Sequence, residues 1–277
     1  MSTNHYENFP VASFLLPKHL RQAVMNIYRF ARSADDIADE GDATDAERLS
    51  ALQDYRQCLQ ACQTAKLESQ PDSHRALVQI FTPLAQTIAV HQLPLEPFEN
   101  LLSAFEQDIV QKRYPDQVAL DDYCKRSANP VGRLMLLLYA AVNSETLAQS
   151  DAICTALQRI NFLQDIALDW EKNRIYLPQQ ELARFGVTED LIATGKTNFA
   201  WRELMQAQVN ACRGLLHSGQ PLGRKLPGRI GLELRLIVQG GLRILEKIEH
   251  VQFDVFRHRP TLGAPDWVLM FARALRS

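Results

Sequence analysis

The sequence predicts an all-α protein. Apolar residues recur every three or four positions through nearly every segment, no long apolar–polar alternation asks for a strand, and the breaks fall at capping residues, Gly and Pro. In chain order the helical periodicity runs over 18–40, 45–66, 74–91, 96–112, 119–127, 130–146, 151–172, 197–217, 227–252 and 265–275. Gly41 ends the first helix, because glycine enters the left-handed C-cap conformation without strain. Thr44 with Glu47 spells the capping box that starts the second. Pro83 falls inside the third and predicts a kink. The fourth carries Phe98, Leu101, Leu102 and Phe105 on one face, and Asn129-Pro130 separates the fifth from the sixth. Residues 173–196, with Pro178, Gly186 and Gly195, read as a loop-rich connection with one short helix. No repeat, low-complexity tract or composition shift marks a linker, so residues 1–277 are expected to form a single domain.

A formal net charge of -2 argues against nucleic acid as a partner, since such proteins carry a large basic patch. The charge is unevenly spread: residues 35–54 are acidic, whereas 224–276 carry ten Arg or Lys against five acids. That basic third suits a diphosphate, an anionic membrane surface or a solvated helix face. Cys58, Cys62, Cys124, Cys154 and Cys212 are scattered and form no CxxC pair, which reads as reduced thiols with no disulfide framework or zinc site. Residues 1–8 lack the basic start and apolar run of a signal peptide, and the longest apolar run, 134–142, is about half of the roughly 20 residues a spanning helix needs. These features predict a cytoplasmic location.

Two acidic clusters carry the chemistry. Asp35 and Asp39, and further on Asn161, Asp165 and Asp169, stand four residues apart, so each set lines one helix face with oxygens. Magnesium takes hard oxygen ligands and commonly bridges carboxylates to substrate phosphates. A charge pair at this spacing is more often a solvated face, and the surroundings decide between the two readings. Gln158 joins the second row, bordered by Leu157 and Leu168 on one side and Phe162 and Ile166 on the other, which favours a cavity over bulk water. On the first helix Tyr28, Arg32, Asp35 and Asp39 oppose Ile27, Phe30, Ala34 and Ile37, with Arg32 suited to an ion pair or to a phosphate oxygen. Asp108 continues the apolar series of the fourth helix, an awkward place for a carboxylate that is neither paired nor used. Tyr123, Arg174 and Tyr176 are further polar candidates, while propensity alone makes His5 a surface residue.

Taken together, 5-HYENF-9, 27-IYRFARSADDIAD-39, Asp108, Tyr123 with Val131-Gly132, and 161-NFLQDIALD-169 followed by Arg174-Ile175-Tyr176 resemble the squalene and phytoene synthases, which join or process isoprenoid diphosphates head to head. The resemblance covers essentially the whole chain. It implies a single-domain, isoprenoid-synthase-like helical bundle with a central active-site cavity. It also implies that Mg2+ is held by Asp35, Asp39, Asn161, Asp165 and Asp169. His5, Asn8, Phe9, Arg32, Asp108, Gln158, Arg174 and Tyr176 would bind substrate, with Phe9 shaping the cation pocket, and Tyr123 would lie near the ionising carbon. Gln164 stands where commoner members have arginine, and Glu7-Asn8 replaces their Lys-Ser; with Trp170 after the last aspartate, these features are similar to the bacterial hydroxysqualene synthase branch of hopanoid biosynthesis. That branch ionises presqualene diphosphate and adds water. One cation fewer at position 164 fits a substrate with a single diphosphate. A thirty-carbon lipid implies peripheral contact with the inner face of the membrane and with neighbouring hopanoid-pathway enzymes. Tyr123 and Asp108 are the candidates for positioning the capturing water.

Three rivals remain at this stage. A squalene-forming synthase using farnesyl diphosphate and NADPH shares the fold and the acids. A chain-elongating prenyl transferase shares Asp35-Asp36-x-x-Asp39, yet its second motif would be Asp-Asp-x-x-Asp, which 161–169 is not. A catalytically dead helical assembly factor would have lost acids that this chain keeps in register.

Overall fold

The computed structural model describes residues 16–64 and 75–276. Fourteen helices and no named strand occur among them: α1 (Arg21–Asp39), α2 (Asp45–Thr64), α3 (Arg75–His91), α4 (Glu96–Val110), α5 (Gln117–Ser127), α6 (Asn129–Leu138), α7 (Ser144–Gln164), α8 (Ile166–Glu171), α9 (Gln179–Phe185), α10 (Glu189–Ala193), α11 (Phe199–Gly219), α12 (Leu222–Lys225), α13 (Gly228–His250) and α14 (Ala264–Ala274). A single parallel bridge pairs Arg113 with Ile175. The all-α reading holds. No described helix is long and apolar enough to cross a membrane.

The helices group into two compact units, each discontinuous in sequence. One unit takes Pro17–Lys112 with Asp122–Leu147, built on the mutual packing of α1, α2, α3 and α4, with α6 against α4. Its core is aromatic: Phe30, Tyr55, Phe81 and Phe98 have no exposed surface, and Phe30 meets the rings of Phe81 and Phe98 edge-on at 5.8 and 5.4 Å. Phe30, Ala34 and Ala38 bury one face of α1, which leaves Arg32, Asp35 and Asp39 on the other. Thr44 and Glu47 form the expected capping box, their backbone N–H groups donating to each other's side-chain oxygens at 2.8 and 3.3 Å.

The other unit takes Arg113–Asp121 with residues 148–276. Here α13 packs on α11, α12 and α14. Trp201, Leu204, Met205, Val209, Cys212 and Leu216 of α11 are fully buried, and Trp201 Nε1 donates to the Phe253 carbonyl at 2.9 Å. Gly241 lets α13 approach closely: a Cβ there would lie 3.0 Å from Leu157 of α7 and 3.1 Å from Leu216 of α11. The buried guanidinium of Arg159 donates to Gln208 at 2.9 Å, tying α7 to α11 by a polar bond.

Several boundaries differ from the sequence reading. The predicted helix 130–146 is two elements, because α6 ends at Leu138 and Ala140 adopts φ 50°. The predicted helix 151–172 starts earlier, at Ser144, and breaks at Asp165 between α7 and α8. The connection 173–196 holds two short helices, α9 and α10, and α12 was not anticipated. Pro83 sits inside α3 without ending it. All five cysteines are free thiols.

Candidate active site

The first acidic row stands on α1, α4 and α5. Arg32 is tied to its own helix, Nη1 3.0 Å from Asp35 and Nη2 2.5 Å from Asp36, as expected for neighbours one turn apart. Asp35 keeps 38 % of its side-chain surface open. Most of the space around its carboxyl is nonetheless protein, and burial pushes its pKa up to about 7, Asp39, Asp108 and Asp36 adding to the rise and Arg32 opposing it. One guanidinium does not offset four carboxylates at this spot. On α4, Asp108 is 6 % exposed, and its Oδ2 accepts from the Tyr123 hydroxyl at 2.6 Å. The acid that looked awkward in an apolar series is therefore paired, and two of the sequence candidates form one buried unit. Lys112 donates to the Asp108 carbonyl at 2.7 Å, which closes the last turn of α4.

The second acidic row runs from α7 into α8. Asp165 lies between the helices, with φ -105° and ψ 13°, yet the bonds from Asp165 N–H to the Asn161 carbonyl (2.9 Å) and from Asp169 N–H to the Asp165 carbonyl (2.8 Å) keep the four-residue register. The row expected from the helical wheel survives the break. Asn161 is exposed, Gln158, Asp165 and Asp169 are half-buried, Phe162 and Ile166 are buried, and Leu168 is 49 % exposed.

Beyond Asp169 the chain turns back through Asn173 at φ 56°. Arg113 holds that turn: Nη1 donates to the Asn173 carbonyl at 2.5 Å, Nη2 to its side-chain oxygen at 3.1 Å, and Nε to Glu189 at 2.8 Å. Arg174 follows, buried, its N–H donating to the Asp169 carbonyl at 2.7 Å, while its Nε has no acceptor among the described residues. Tyr176 stacks on Phe162 at 3.9 Å and beside Tyr114 at 5.6 Å, which fixes the ring relative to the acidic row.

Gln164 is 1 % exposed and its Nε2 donates to the Pro260 carbonyl at 2.7 Å. This clamp sits one residue past Arg259, whose Nε and Nη2 lie 2.5 and 3.2 Å from the two oxygens of Asp165. The bond to Asp165 raises the Arg259 pKa against the opposing effect of burial, and the charge of Asp169 adds to it. Position 164 thus carries a neutral clamp rather than a cation, and a guanidinium reaches Asp165 separately, from the C-terminal third. Sequence reading missed both Arg259 and Arg113. The basic run Arg257-His258-Arg259 was the available signal for the first, and nothing local marked the second.

Asp35, Asp39, Arg32, Asp108 and Tyr123 belong to one unit, and Gln158, Asn161, Asp165, Asp169, Arg174 and Tyr176 to the other. His5, Asn8 and Phe9 lie outside the described residues. No three His, Cys, Asp or Glu side chains among the described residues are gathered into a ready metal cage. The donor set still fits magnesium, because it is made of hard oxygens and because the like charges crowding Asp35 are what a bound cation relieves.

The family described as squalene/phytoene synthase matches residues 2–266. The hydroxysqualene synthase of Zymomonas mobilis is 34% identical over 233 residues, 83% of this chain and 75% of the relative. That of Rhodopseudomonas palustris is 32% identical over 249 residues, 89% of this chain and 81% of the relative. Among solved structures, squalene synthase HpnC from Alicyclobacillus acidocaldarius superposes with a TM-score of 0.81 at 35% identity, over 90% of each chain.

Proposed function

Because this chain belongs to the squalene/phytoene synthase family of isoprenoid diphosphate enzymes, we propose that it ionises presqualene diphosphate and lets water capture the cation, giving hydroxysqualene and diphosphate. The observation that carries this choice is the likeness to two hydroxysqualene synthases over 83% and 89% of the chain. Asp35, Asp39, Asn161, Asp165 and Asp169 are assigned to hold magnesium. Bound there, the metal would neutralise charge on the departing diphosphate.

The chain's own groups do the rest. Arg174 is buried next to the second acidic row, its N–H on the Asp169 carbonyl, and its guanidinium is assigned to the phosphate oxygens. Arg32, held by Asp35 and Asp36, is assigned to the diphosphate through its remaining donors. Tyr176 is fixed by stacking, so its hydroxyl is offered from a rigid ring. Tyr123 donates to Asp108, which leaves its oxygen as an acceptor for water. We assign this pair to holding the capturing water and taking its proton. Gln158, His5, Asn8 and Phe9 complete the substrate contacts. A thirty-carbon substrate partitions into lipid, so the enzyme is placed at the membrane surface beside the pathway's other enzymes.

In a second reading, favoured by the solved relative named a squalene synthase, this chain joins two farnesyl diphosphates and reduces the product. The deciding experiment incubates the purified protein with magnesium and either presqualene or farnesyl diphosphate, with and without NADPH, and identifies the lipids by mass. Hydroxysqualene from presqualene diphosphate alone is the expected result. Squalene formed only with NADPH would replace the first reading by the second.

A further inference from the structure

We propose that the outward face of α14 is a docking surface for an anionic lipid bilayer. The inference rests on the lipid substrate assigned above and names the part of the chain that meets the membrane. Exposed large apolar side chains are otherwise scattered singly over the described residues, as at Val90, Val118 and Phe199, which is ordinary for a protein surface. Over 267–275 they are concentrated instead: Val268 is 73%, Phe271 47% and Leu275 60% exposed, with Trp267 and Leu269 at 37% and 36%. The helix buries only a narrow stripe of Asp266, Met270 and Ala274. Val268, Phe271, Ala272 and Leu275 fall together on the arc facing away from that stripe, an arc with no charged residue. A helix apolar on nearly every side is normally covered.

Charge selects the cover. The only acid of α14 is Asp266, which is buried beneath Arg243 at 2.7 Å and Lys247 at 2.5 Å. Arg276 is exposed at the end of the helix, and Arg273 faces Glu246 at 2.6 Å. The surround of the apolar arc is thus net positive, which complements an anionic headgroup layer into which the arc dips. The position fits the task as well. Arg259 sits on Asp165, and α14 begins five residues later, so the first residue of the helix lies within about 18 Å of Arg259 even at full extension. A substrate leaving the bilayer there has a short path to the row.

The test is flotation of the full chain with phosphatidylglycerol/phosphatidylethanolamine vesicles and with neutral phosphatidylcholine vesicles. Wild type should float with the anionic vesicles and much less with the neutral ones. The V268S/F271S/L275S variant should partition at least about tenfold more weakly, and turnover of substrate dispersed in detergent should be unchanged. Val268→Glu alone, at the most exposed position, serves if the triple variant loses helical circular dichroism, and Phe271→Leu should restore binding relative to Phe271→Ser. Failure of wild type to float, or equal flotation of the variants, would overturn the proposal. So would a wild-type dimer by light scattering that the triple variant dissolves, since the face would then belong to a second copy. Flotation by a wild type that makes no hydroxysqualene would sink the reaction proposed above and leave the docking surface standing.

Discussion

At the residue scale, two positions carry the sharpest expectations. Arg259 occupies the carboxylate of Asp165 with two hydrogen bonds, so a cation arriving at that row competes with a guanidinium. Side chains 31% and 26% exposed make this a screened pair, and its removal changes local electrostatics by about 0.5–1 kcal/mol. Arg259→Gln should therefore tighten magnesium binding about two- to fivefold in calorimetry without substrate. Weaker or unchanged binding would show that the pair does not compete with metal. The second position is Tyr123. Its hydroxyl meets a nearly buried carboxylate at 2.6 Å, and losing a buried hydrogen bond to a charged group costs about 1–3 kcal/mol. Tyr123→Phe should lower stability in urea by that amount and, on the proposed function, reduce hydroxysqualene formation. A variant as stable and active as wild type would remove the pair from the site. Asp108 was legible in the sequence as a carboxylate in the wrong company, but its partner was not, because the bond joins α4 to α5 across a distance that periodicity does not encode.

At the element scale, the long helices were legible because burial of one face imposes the three-to-four spacing, as Phe30, Ala34 and Ala38 do on α1. The break at Asp165 was not, since residues 161–169 contain no Gly or Pro and the local hydrogen bonds keep their register through it. Left-handed Ala140 was equally silent, because nothing in alanine announces a positive φ. Attachment of α14 rests on Asp266, whose carboxylate caps the helix through the Gly263 N–H at 2.8 Å and meets Arg243 and Lys247. Burial alone would raise its pKa, but the Gly263 N–H, Lys247 and Arg243 together hold the carboxyl well below the usual range. A depressed folded-state pKa contributes stability that is complete above the unfolded value of 3.8 and is lost as pH falls through the folded value. Asp266→Asn should cost about 2 kcal/mol at neutral pH, less than a fully buried pair because both cations keep over a quarter of their surface. The difference between variant and wild type should close as melts are taken progressively below pH 3.8. A constant difference down to strong acid would show that the carboxylate's charge is not what holds α14.

At the scale of the whole molecule, the two acidic rows lie 130 residues apart in sequence, from Asp35 to Asp165, and in different compact units. The proposed function assigns magnesium and diphosphate to residues of both rows, and a ligand that used both would stabilise both units, because its binding free energy is lost when either unfolds. Saturation at about a hundred times the dissociation constant adds about 2.7 kcal/mol, which for a chain of this size moves the melting temperature by roughly 4–8 °C. Magnesium with inorganic pyrophosphate should therefore raise the melting temperature of wild type, and either component alone should do less. The decisive comparison is between Asp35→Asn and Asp165→Asn. Shared binding requires that each substitution, made in a different unit, abolish most of the shift, while helical circular dichroism stays unchanged because neither side chain belongs to the buried core. If Asp35→Asn kept the full shift while Asp165→Asn lost it, the ligand would be held by the second row alone, and the crowded carboxylates on α1 would need a different purpose.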